Sequence, residues 1–287
     1  MAVLSIQSHV VYGCAGNTAA VFPMQRLGHE VWAINTVEFS NHTGYGSWRG
    51  KILEADLVLD LVTGLEERGV LKNCEAVLSG YLGDARTGEA IIEAVKKTRL
   101  FSPNALYACD PVMGDTGRGF YVKPDIPDMF RDKLISIADI VSPNQFELEA
   151  LTKTSADSIE SAIKAVNILH EKGPSIVLVT SYRDKNGAFG MLASDKTNIY
   201  KITTPELPLE ESVAGTGDMT CAVFLSRYLE TRSLEKTLEL CTATVFGILE
   251  ASYKSPCKNG NMLELKLIEA QEQFVSPSHF FKAEKIK

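Results

Sequence analysis

The segment Val213-Ala214-Gly215-Thr216-Gly217-Asp218 leads directly into an apolar run that starts at Met219. Apolar residues at 219, 222, 223 and 225 recur at helical spacing, so the sequence predicts a helix that begins at this turn. The first N–H groups of a helix lack partners within the helix, and the helix dipole adds partial positive charge there. Glycines let the backbone approach a ligand closely. The turn is therefore a candidate anion site for a phosphoryl group.

Asp218 has two possible roles at this turn. A carboxylate beside an anion site repels phosphate, and it is useful there if it accepts a proton from the hydroxyl group that attacks phosphorus. Asp is also a favoured helix N-cap residue. These residues alone leave capping and catalysis open, so the rest of the chain has to distinguish them.

Composition and charge exclude several classes of protein. The 287 residues carry a formal net charge of −7, which argues against a nucleic-acid partner or an anionic membrane surface. The six cysteines are scattered without a C-x-x-C pair, as is typical of reduced intracellular thiols. The sequence shows no signal-peptide pattern and no apolar run near the ~20 residues that span a bilayer. We therefore expect a cytoplasmic protein with no membrane partner.

Short apolar segments alternate with helical patterns along the chain. Strands are predicted at 3–7, 31–37, 76–79, 106–109, 137–141 and 176–179, with an antiparallel pair at 188–193 and 198–202. Helical patterns include 53–68, 87–99, 219–229 and 234–251, and a polar tail follows them. This alternation predicts an α/β fold, a three-layer αβα sandwich with a mainly parallel central sheet. Because no linker interrupts it, we expect one domain over residues 1–287.

Polar residues stand where the predicted strands end. They are Ser8, Tyr81, Asp110, Ser142, Asn144 and Thr180. Ligands of open α/β sheets bind outside the carboxyl ends of the strands, so these residues are expected to share one edge. Each also has a simpler interpretation, such as the turn at Asp110-Pro111 or an N-cap within Ser142-Pro143-Asn144. Residues 38–48 and 115–119 are expected to be loops.

Several motifs together indicate phosphoryl transfer with magnesium. The anion turn with its carboxylate occurs with the run Cys109-Asp110-Pro111-Val112-Met113-Gly114-Asp115 and with Asn144-x-x-Glu147. Magnesium prefers oxygen ligands and retains water molecules, which suits carboxylates placed near bound phosphates. The joint occurrence favours catalysis over capping for Asp218.

These motifs resemble those of the pyridoxal kinase family, a branch of the ribokinase superfamily. The resemblance rests on Gln7–Gly13, Phe39–Thr43, Leu78–Gly83, Cys109–Asp115 and Gly215–Asp218, in the family's order. It implies a ribokinase-like fold and ATP-dependent phosphorylation of the 5′-hydroxyl of pyridoxal in vitamin B6 salvage, with pyridoxine and pyridoxamine as further substrates left open. Magnesium would be the cofactor, ATP the co-substrate and a homodimer the usual assembly.

The resemblance also implies roles for individual residues. Asp218 would be the general base, and the amides of Gly215, Thr216 and Gly217 would form an anion hole. Substrate contacts would come from Ser8, Val10, Phe39, Thr43, Gly44, Trp48, Tyr81 and Asp218. ATP would be bound by Asp110, Asp115, Ser142, Asn144, Glu147, Thr180, Thr204, Pro205, Glu206 and Leu207. Asp110, Asp115 and Glu147 would hold magnesium, partly through water.

The chain departs from the family pattern at two positions. Some bacterial members have a cysteine in the loop 115–121 that captures the aldehyde of pyridoxal, whereas this chain has Gly119, Phe120 and Tyr121. We therefore expect no covalent adduct here. Thr180-Ser181 stands where some bacterial members have a lysine, which changes the expected phosphate contacts.

Two other functions remain as alternatives. A kinase of the same superfamily that acts on hydroxymethylpyrimidine or a sugar would use the same fold and base. A non-catalytic protein that binds pyridoxal phosphate would keep the pocket without turnover. A nicotinamide-dependent oxidoreductase is disfavoured because Gly44-x-Gly46-x-x-x-Gly50 misses the G-x-G-x-x-G spacing.

Overall fold

The fold was examined in a computed structural model, which describes residues 2–208, 212–254, 258–259 and 262–287. The strands are β1 (Ala2–Tyr12), β2 (Glu30–Asn41), β3 (Gly50–Ile52), β4 (Cys74–Ser79), β5 (Leu106–Cys109), β6 (Gly114–Asp115), β7 (Gly119–Phe120), β8 (Ile140–Val141), β9 (Ile176–Arg183), β10 (Phe189–Ser194), β11 (Ile199–Thr204), β12 (Ser212–Val213), β13 (Lys258–Asn259), β14 (Met262–Leu263) and β15 (Glu284–Lys285).

The α-helices lie between these strands and after them. They are α1 (Asn17–Arg26), α2 (Ala55–Glu67), α3 (Ala85–Phe101), α4 (Ile126–Met129), α5 (Ile135–Ile137), α6 (Gln145–Thr152), α7 (Ile159–Lys172), α8 (Thr216–Thr231), α9 (Leu234–Lys254) and α10 (Glu272–Val275). Short 3-10 turns cover Thr43–Tyr45 and Leu71–Asn73, and a π-helical turn covers Phe130–Leu134. Within the described ranges, none of the helices has the length and apolar character to cross a bilayer.

Ten strands form the central sheet, in the order β15-β11-β10-β9-β8-β5-β4-β1-β2-β3. The neighbours from β9 through β8, β5, β4 and β1 to β2 are all parallel. The remaining strands add antiparallel pairs at both edges, with β10, β11 and β15 on one side and β3 on the other. The carboxyl ends of the parallel strands therefore share one edge of the sheet.

Alternate side chains of the parallel strands enter two separate cores. Leu4 and Val77 pack with buried residues of α2, α3 and α7 on one face of the sheet. Val3 and Leu78 point to the other face and pack with α1, α8 and α9. Since successive residues of a strand point to opposite faces, the nearly continuous apolar runs are explained by burial on both sides. The predicted three-layer αβα sandwich with a mainly parallel sheet is confirmed.

The first two strands extend beyond their predicted ends. β1 continues to Tyr12 through a register shift between Gln7 and His9, and β2 continues to Asn41. The expectation of a loop at 38–48 is therefore wrong for residues 38–41. The cause is β3, which folds back so that Gly50 pairs with Phe39. A polar stretch has no apolar period to reveal this pairing.

Two other segments differ from the expectation. The strand predicted at 137–141 is limited to Ile140–Val141, because Ile137 ends the helical stretch that includes α5. A short apolar run fits a buried helix as well as a strand, which explains the error. Residues 114–120, expected to be a glycine-rich loop from 115, form the hairpin β6–β7, and Phe120 packs on Phe146 at 5.0 Å between ring centroids.

The C-terminal segment is not a polar tail. Met262, Leu263, Leu265, Leu267 and Phe274 are buried, and β15 adds an edge strand to the central sheet. Phe274 belongs to the core on the face of α1, α8 and α9, and its carbonyl oxygen accepts a hydrogen bond from Arg227. The apolar residues of this segment lack a helical or strand period, so sequence reasoning did not detect their burial.

This packing predicts that Phe274→Ala lowers the free energy of unfolding by about 3 to 5 kcal/mol, because it leaves a cavity in a closed core. Phe280 is a matched control in the same segment, since 86% of its surface is exposed whereas Phe274 is fully buried. Phe280→Ala is expected to change stability by no more than about 0.5 kcal/mol. Urea denaturation measures both variants, and equal effects would contradict the assignment of Phe274 to the core.

Candidate active site

A cavity of about 450 Å³ lies at the carboxyl ends of the parallel strands, beside the first turn of α8. Most of the sequence-predicted site residues line it. They are Ser8, Val10, Phe39, Thr43, Tyr81, Asp110, Asp115, Ser142, Asn144, Glu147, Thr180, Thr204, Pro205, Glu206, Leu207, Gly215, Thr216, Gly217 and Asp218. Gly44 and Trp48 stand next to the cavity wall without being part of it.

The turn before α8 requires glycine at its first position. Gly215 is the N-cap residue with φ of 76°, in the left-handed region. A Cβ atom at Gly215 would lie 2.2 Å from the carbonyl oxygen of Cys14, so no larger residue fits. Because Gly215 occupies the capping position, Asp218 is the third residue of the helix and its interpretation as the N-cap is wrong.

Asp218 lies at the cavity beside a backbone N–H group from another segment. Burial raises the pKa of Asp218 above its usual value, and the N–H groups of Gly16 and of Asp218 itself offset part of that shift. A carboxylate with a raised pKa is a stronger base than a free one. The arrangement suits proton acceptance from a bound hydroxyl group.

Asp110 is the most constrained carboxylate of the site. It follows β5, only 3% of its surface is exposed, and its Oδ2 atom lacks a hydrogen-bond partner among the described residues. Burial, together with the charges of Glu147 and Asp218, raises the pKa of Asp110 well above its usual range. A buried carboxylate without a donor is costly, so the site favours a cation that supplies the missing positive charge.

Glu147 and Asn144 form a capping box at the start of α6. Glu147 accepts hydrogen bonds from the N–H groups of Met113 and Asn144, each at 2.9 Å, and Asn144 Oδ1 accepts from the N–H of Glu147 at 2.9 Å. Asn144 also donates to Asp115 Oδ1 at 3.2 Å. Burial is the main cause that raises the pKa of Glu147 to about 8. Asn144 is thus the N-cap residue that the sequence suggested, and it forms one capping box with Glu147, which was also predicted to lie on the ATP side.

The acidic residues fit a hydrated cation better than a directly ligated one. No three His, Cys, Asp or Glu side chains within the described part of the chain are arranged to hold a metal ion. Both carboxylate oxygens of Glu147 already accept backbone hydrogen bonds, whereas Asp110 Oδ2 is unpartnered. Magnesium retains several water molecules and is bound by one or two carboxylates plus phosphate oxygens, so the donor set suits it.

Apolar side chains form the wall of the cavity near β1 and β2. Val10 and Phe39 are buried there, and Tyr81 packs against the same cluster. The Trp48 ring stacks on Phe39 with 4.1 Å between ring centroids, so it supports the wall from behind. Thr43 begins the 3-10 turn, whose Gly44 N–H donates to His42 Nδ1 at 3.1 Å. A flat ring with polar edges would fit between these groups.

One face of α9 also lines the cavity, and the sequence analysis did not predict it. The lining residues are Thr242, Val245, Phe246 and Leu249. Thr204–Leu207 line the same cavity, and Glu206 among them pairs with Arg183. The spacing i, i+3, i+4 and i+7 marks one helix face, but an apolar face normally indicates the core. Only the position of the helix distinguishes a cavity wall from a core face.

The hairpin β6–β7 contributes two further lining residues that were not predicted, Arg118 and Tyr121. The Arg118 guanidinium lies 5.6 Å from the centre of the Tyr121 ring. Its positive charge partly offsets the rise that burial causes in the pKa of Asp115. Arg118 lies within the predicted loop 115–119, but a charged residue on a loop is usually exposed to solvent, so its sequence position did not indicate a place in the cavity.

The comparisons with known proteins all relate the chain to kinases of small molecules. The family model for phosphomethylpyrimidine kinase matches residues 66–262. Pyridoxal kinase PdxY of Rubrobacter xylanophilus is 48% identical over 279 residues, covering 96% of this chain and 94% of that protein. The chain belongs to the pyridoxal kinase family. Pyridoxal kinase PdxY of Granulibacter bethesdensis is 45% identical over 291 residues, with 99% of each chain covered.

A solved structure extends the agreement to three dimensions. The pyridoxal kinase from Leishmania donovani in complex with ADP and pyridoxamine matches with a TM-score of 0.92 and 29% identity, over 100% of this chain and 99% of that one. As a member of the pyridoxal kinase family, the chain is a kinase with the ribokinase-like fold that its motifs implied.

The cysteines near the cavity are poor nucleophiles. Burial is the main cause that raises the pKa of Cys14 and of Cys109 to about 12 in each case. Since the thiolate is the reactive form, these residues carry almost none of it at neutral pH. The absence of a covalent pyridoxal adduct stays a prediction, and the buried thiols support it.

The carboxylate cluster predicts how stability depends on pH. An Asp with a raised folded pKa keeps its proton when the unfolded chain has lost it, so stability falls as pH rises above about 3.9. Asp110→Asn removes this group. The free energy of unfolding of the variant is therefore expected to exceed that of the native chain by at least about 1 kcal/mol at pH 8, with little difference near pH 4. Urea denaturation without divalent cations measures it. If the free energies of unfolding of the native chain and of Asp110→Asn change in parallel from pH 4.5 to 8, the raised pKa of Asp110 is contradicted.

Proposed function

We propose that this protein transfers the γ-phosphoryl group of ATP to the 5′-hydroxyl of pyridoxal, giving pyridoxal 5′-phosphate in vitamin B6 salvage. The observation that carries the proposal is the placement of Asp218 beside the N-terminus of α8, within a cavity that has an apolar wall on one side and an acidic cluster on the other. Its relatives named pyridoxal kinase support the substrate.

Asp218 acts as the general base in this proposal. Phosphoryl transfer depends mainly on positioning and charge stabilisation, and a placed base contributes roughly 10² to 10⁴ in rate. Burial raises the pKa of its carboxylate, and the nearby Gly16 N–H group offsets part of that rise. The amides of Gly215, Thr216 and Gly217 stabilise the negative charge that develops on the transferring group.

Magnesium is the proposed cofactor, held by Asp110 directly or through water and by Asp115 and Glu147 through water. When bound, it neutralises charge on the phosphate oxygens. A Cβ atom at Gly217 would lie 3.9 Å from Asp110 Oδ2, so the acidic cluster adjoins the anion hole. Backbone donors that suit phosphate, at α8, therefore lie next to carboxylate acceptors that suit a cation, at Asp110. The hairpin β6–β7 closes over the phosphates and excludes water.

Both substrates have proposed binding regions. Ser8 hydrogen-bonds the polar edge of the pyridoxal ring, Tyr81 covers its face, and Val10, Phe39, Thr43, Gly44 and Trp48 form or support the wall. The nucleotide lies between α9 and Thr204–Leu207, with Ser142, Asn144 and Thr180 on its phosphate side.

We also propose that the protein is a cytoplasmic homodimer. A homodimer is the usual assembly of the family that the motifs resemble, and sedimentation velocity tests it.

A second candidate substrate is hydroxymethylpyrimidine. The family model that matches residues 66–262 is described as phosphomethylpyrimidine kinase, which favours this alternative specifically. A pyrimidine alcohol would use the same base and anion hole, and only the contacts of the β1–β2 wall would distinguish the two rings.

The substrate is tested by measuring ADP release with magnesium-ATP and, in parallel, pyridoxal, pyridoxine, pyridoxamine, hydroxymethylpyrimidine and ribose. Release with pyridoxal well above the rest is expected. A preference for the pyrimidine or the sugar would keep the fold and the base but replace the proposed substrate. No release with any alcohol would favour the binding-protein alternative, which co-purification of pyridoxal phosphate would then support.

Asp218→Asn tests the base. The variant is expected to lose about 10²-fold or more in kcat while its KM for pyridoxal stays within a few-fold, because the amide keeps the shape but accepts no proton. Steady-state kinetics measure it, and thermal unfolding checks that the variant folds. A kcat close to that of the native chain would remove Asp218 from this role.

A further inference from the structure

Glu264 joins two segments that border the cavity, although it does not line the cavity itself. It follows β14, and only 8% of its surface is exposed. Its Oε2 atom accepts a hydrogen bond from the N–H of Cys14 at 3.0 Å, and its Oε1 atom accepts one from the hydroxyl of Tyr45. A buried carboxylate is stable only with such donors, so both contacts are needed to hold it there.

The first contact holds the turn of residues 13–16, here called the 13–16 turn. Gly13 has φ of +88°, and a Cβ atom on it would lie 2.5 Å from Glu264 Oε1, so the carboxylate is pressed against the backbone. The carbonyl oxygen of Cys14 in turn abuts Gly215. Gly16, two residues further on, stabilises the charged form of Asp218 through its backbone. Glu264 therefore holds a turn that contacts Gly215 through Cys14 and lies beside Asp218 through Gly16.

The second contact holds residues 42–48, here called the substrate loop. Tyr45 ends the 3-10 turn that Thr43 begins, and Thr43 lines the cavity. A Cβ atom on Gly44 would lie 3.0 Å from Met262 Sδ, so the segment that carries Glu264 also packs directly on this turn. The Tyr45 hydroxyl and Gly44 are thus both held by the segment that carries Glu264.

We infer that Glu264 is a positioning residue that couples the substrate loop to the 13–16 turn. The inference rests on the proposed function, because it assigns the loop to the phosphoryl acceptor. Tyr45 transmits the effect on acceptor binding, and the Cys14 N–H transmits the effect on Asp218 and Gly215. The hydrogen bonds of Glu264 in the described residues go to Cys14 and Tyr45 and not to α9 or Thr204–Leu207, so we expect a smaller effect on ATP binding than on acceptor binding.

Two variants separate the two contacts. Tyr45→Phe removes only the contact to the substrate loop and is expected to raise the KM for pyridoxal about tenfold, as is typical of one lost hydrogen bond to a charged group. Its kcat and its KM for ATP should stay within twofold. Glu264→Ala removes both contacts, so it should raise the KM for pyridoxal similarly and lower kcat by about tenfold or more.

The control is Glu269→Ala. Glu269 is an exposed carboxylate in the same segment, paired with Lys266 at 3.0 Å, and its loss should leave all three constants within twofold. The double variant Tyr45→Phe with Glu264→Ala should match the KM of Glu264→Ala, because both changes remove the same contact. An additive rise in KM would overturn the shared path through Tyr45.

Hydrogen exchange of backbone amides gives a readout that needs no turnover. In Glu264→Ala, the amide of Cys14 and the amides of residues 42–48 should exchange faster than in the native chain. In Tyr45→Phe, only the amides of residues 42–48 should. Unchanged exchange and an unchanged KM for pyridoxal in Tyr45→Phe would overturn the inference, and this variant decides the question if Glu264→Ala does not fold.

The two proposals fail in different ways. If the native chain does not phosphorylate pyridoxal, the substrate proposal fails, and the KM comparison is made with the alcohol that it does phosphorylate. If the native chain does phosphorylate pyridoxal but Tyr45→Phe and Glu264→Ala change the KM values for both substrates equally, the inference about Glu264 fails alone.

Discussion

The close approach of Gly215 to the carbonyl oxygen of Cys14 is the contact on which the site depends. It brings the turn after β1 against the N-cap residue of α8, although about 200 residues separate them in the chain. The same approach places the backbone of Gly16 beside Asp218. The same turn receives the Glu264 carboxylate from the C-terminal segment. A side chain at position 215 would push the turn after β1 away from the start of α8 and so disturb its contact with the C-terminal segment.

The second constraint is electrostatic. Burial, together with the charges of Glu147 and Asp218, raises the pKa of Asp110 well above its usual range, and Asp110 Oδ2 has no donor among the described residues. Such a cluster weakens the free protein, because like charges are buried together. In the proposed function, a hydrated cation and phosphates would offset this cost, since the donors at α8 and the acceptors at Asp110 would then find partners. The free protein is therefore less stable at the acidic cluster, where the proposed function places the cation and the phosphates.

The sequence predicted much of the site because its chemistry is local. Asp218 with the glycines of its turn, and Glu147 with Asn144, lie within one turn of each other, so short motifs contain the whole arrangement. The wall of α9 and the role of the C-terminal segment were missed for the opposite reason. Val245, Phe246 and Glu264 have ordinary neighbours in the sequence, and their partners lie across the sheet or at the other end of the chain.

The sequence by itself determined the three-layer αβα fold class, the family and the order of the polar strand ends, because hydrophobic period and short motifs act over a few residues. The tertiary structure alone decided which of those residues share one cavity, that Asp218 is a third helical residue rather than a cap, and that β3 turns 38–41 into strand. It also decided that Phe274 is core and Glu264 a buried link. Burial and long-range contacts depend on how the layers pack, and no local pattern records them.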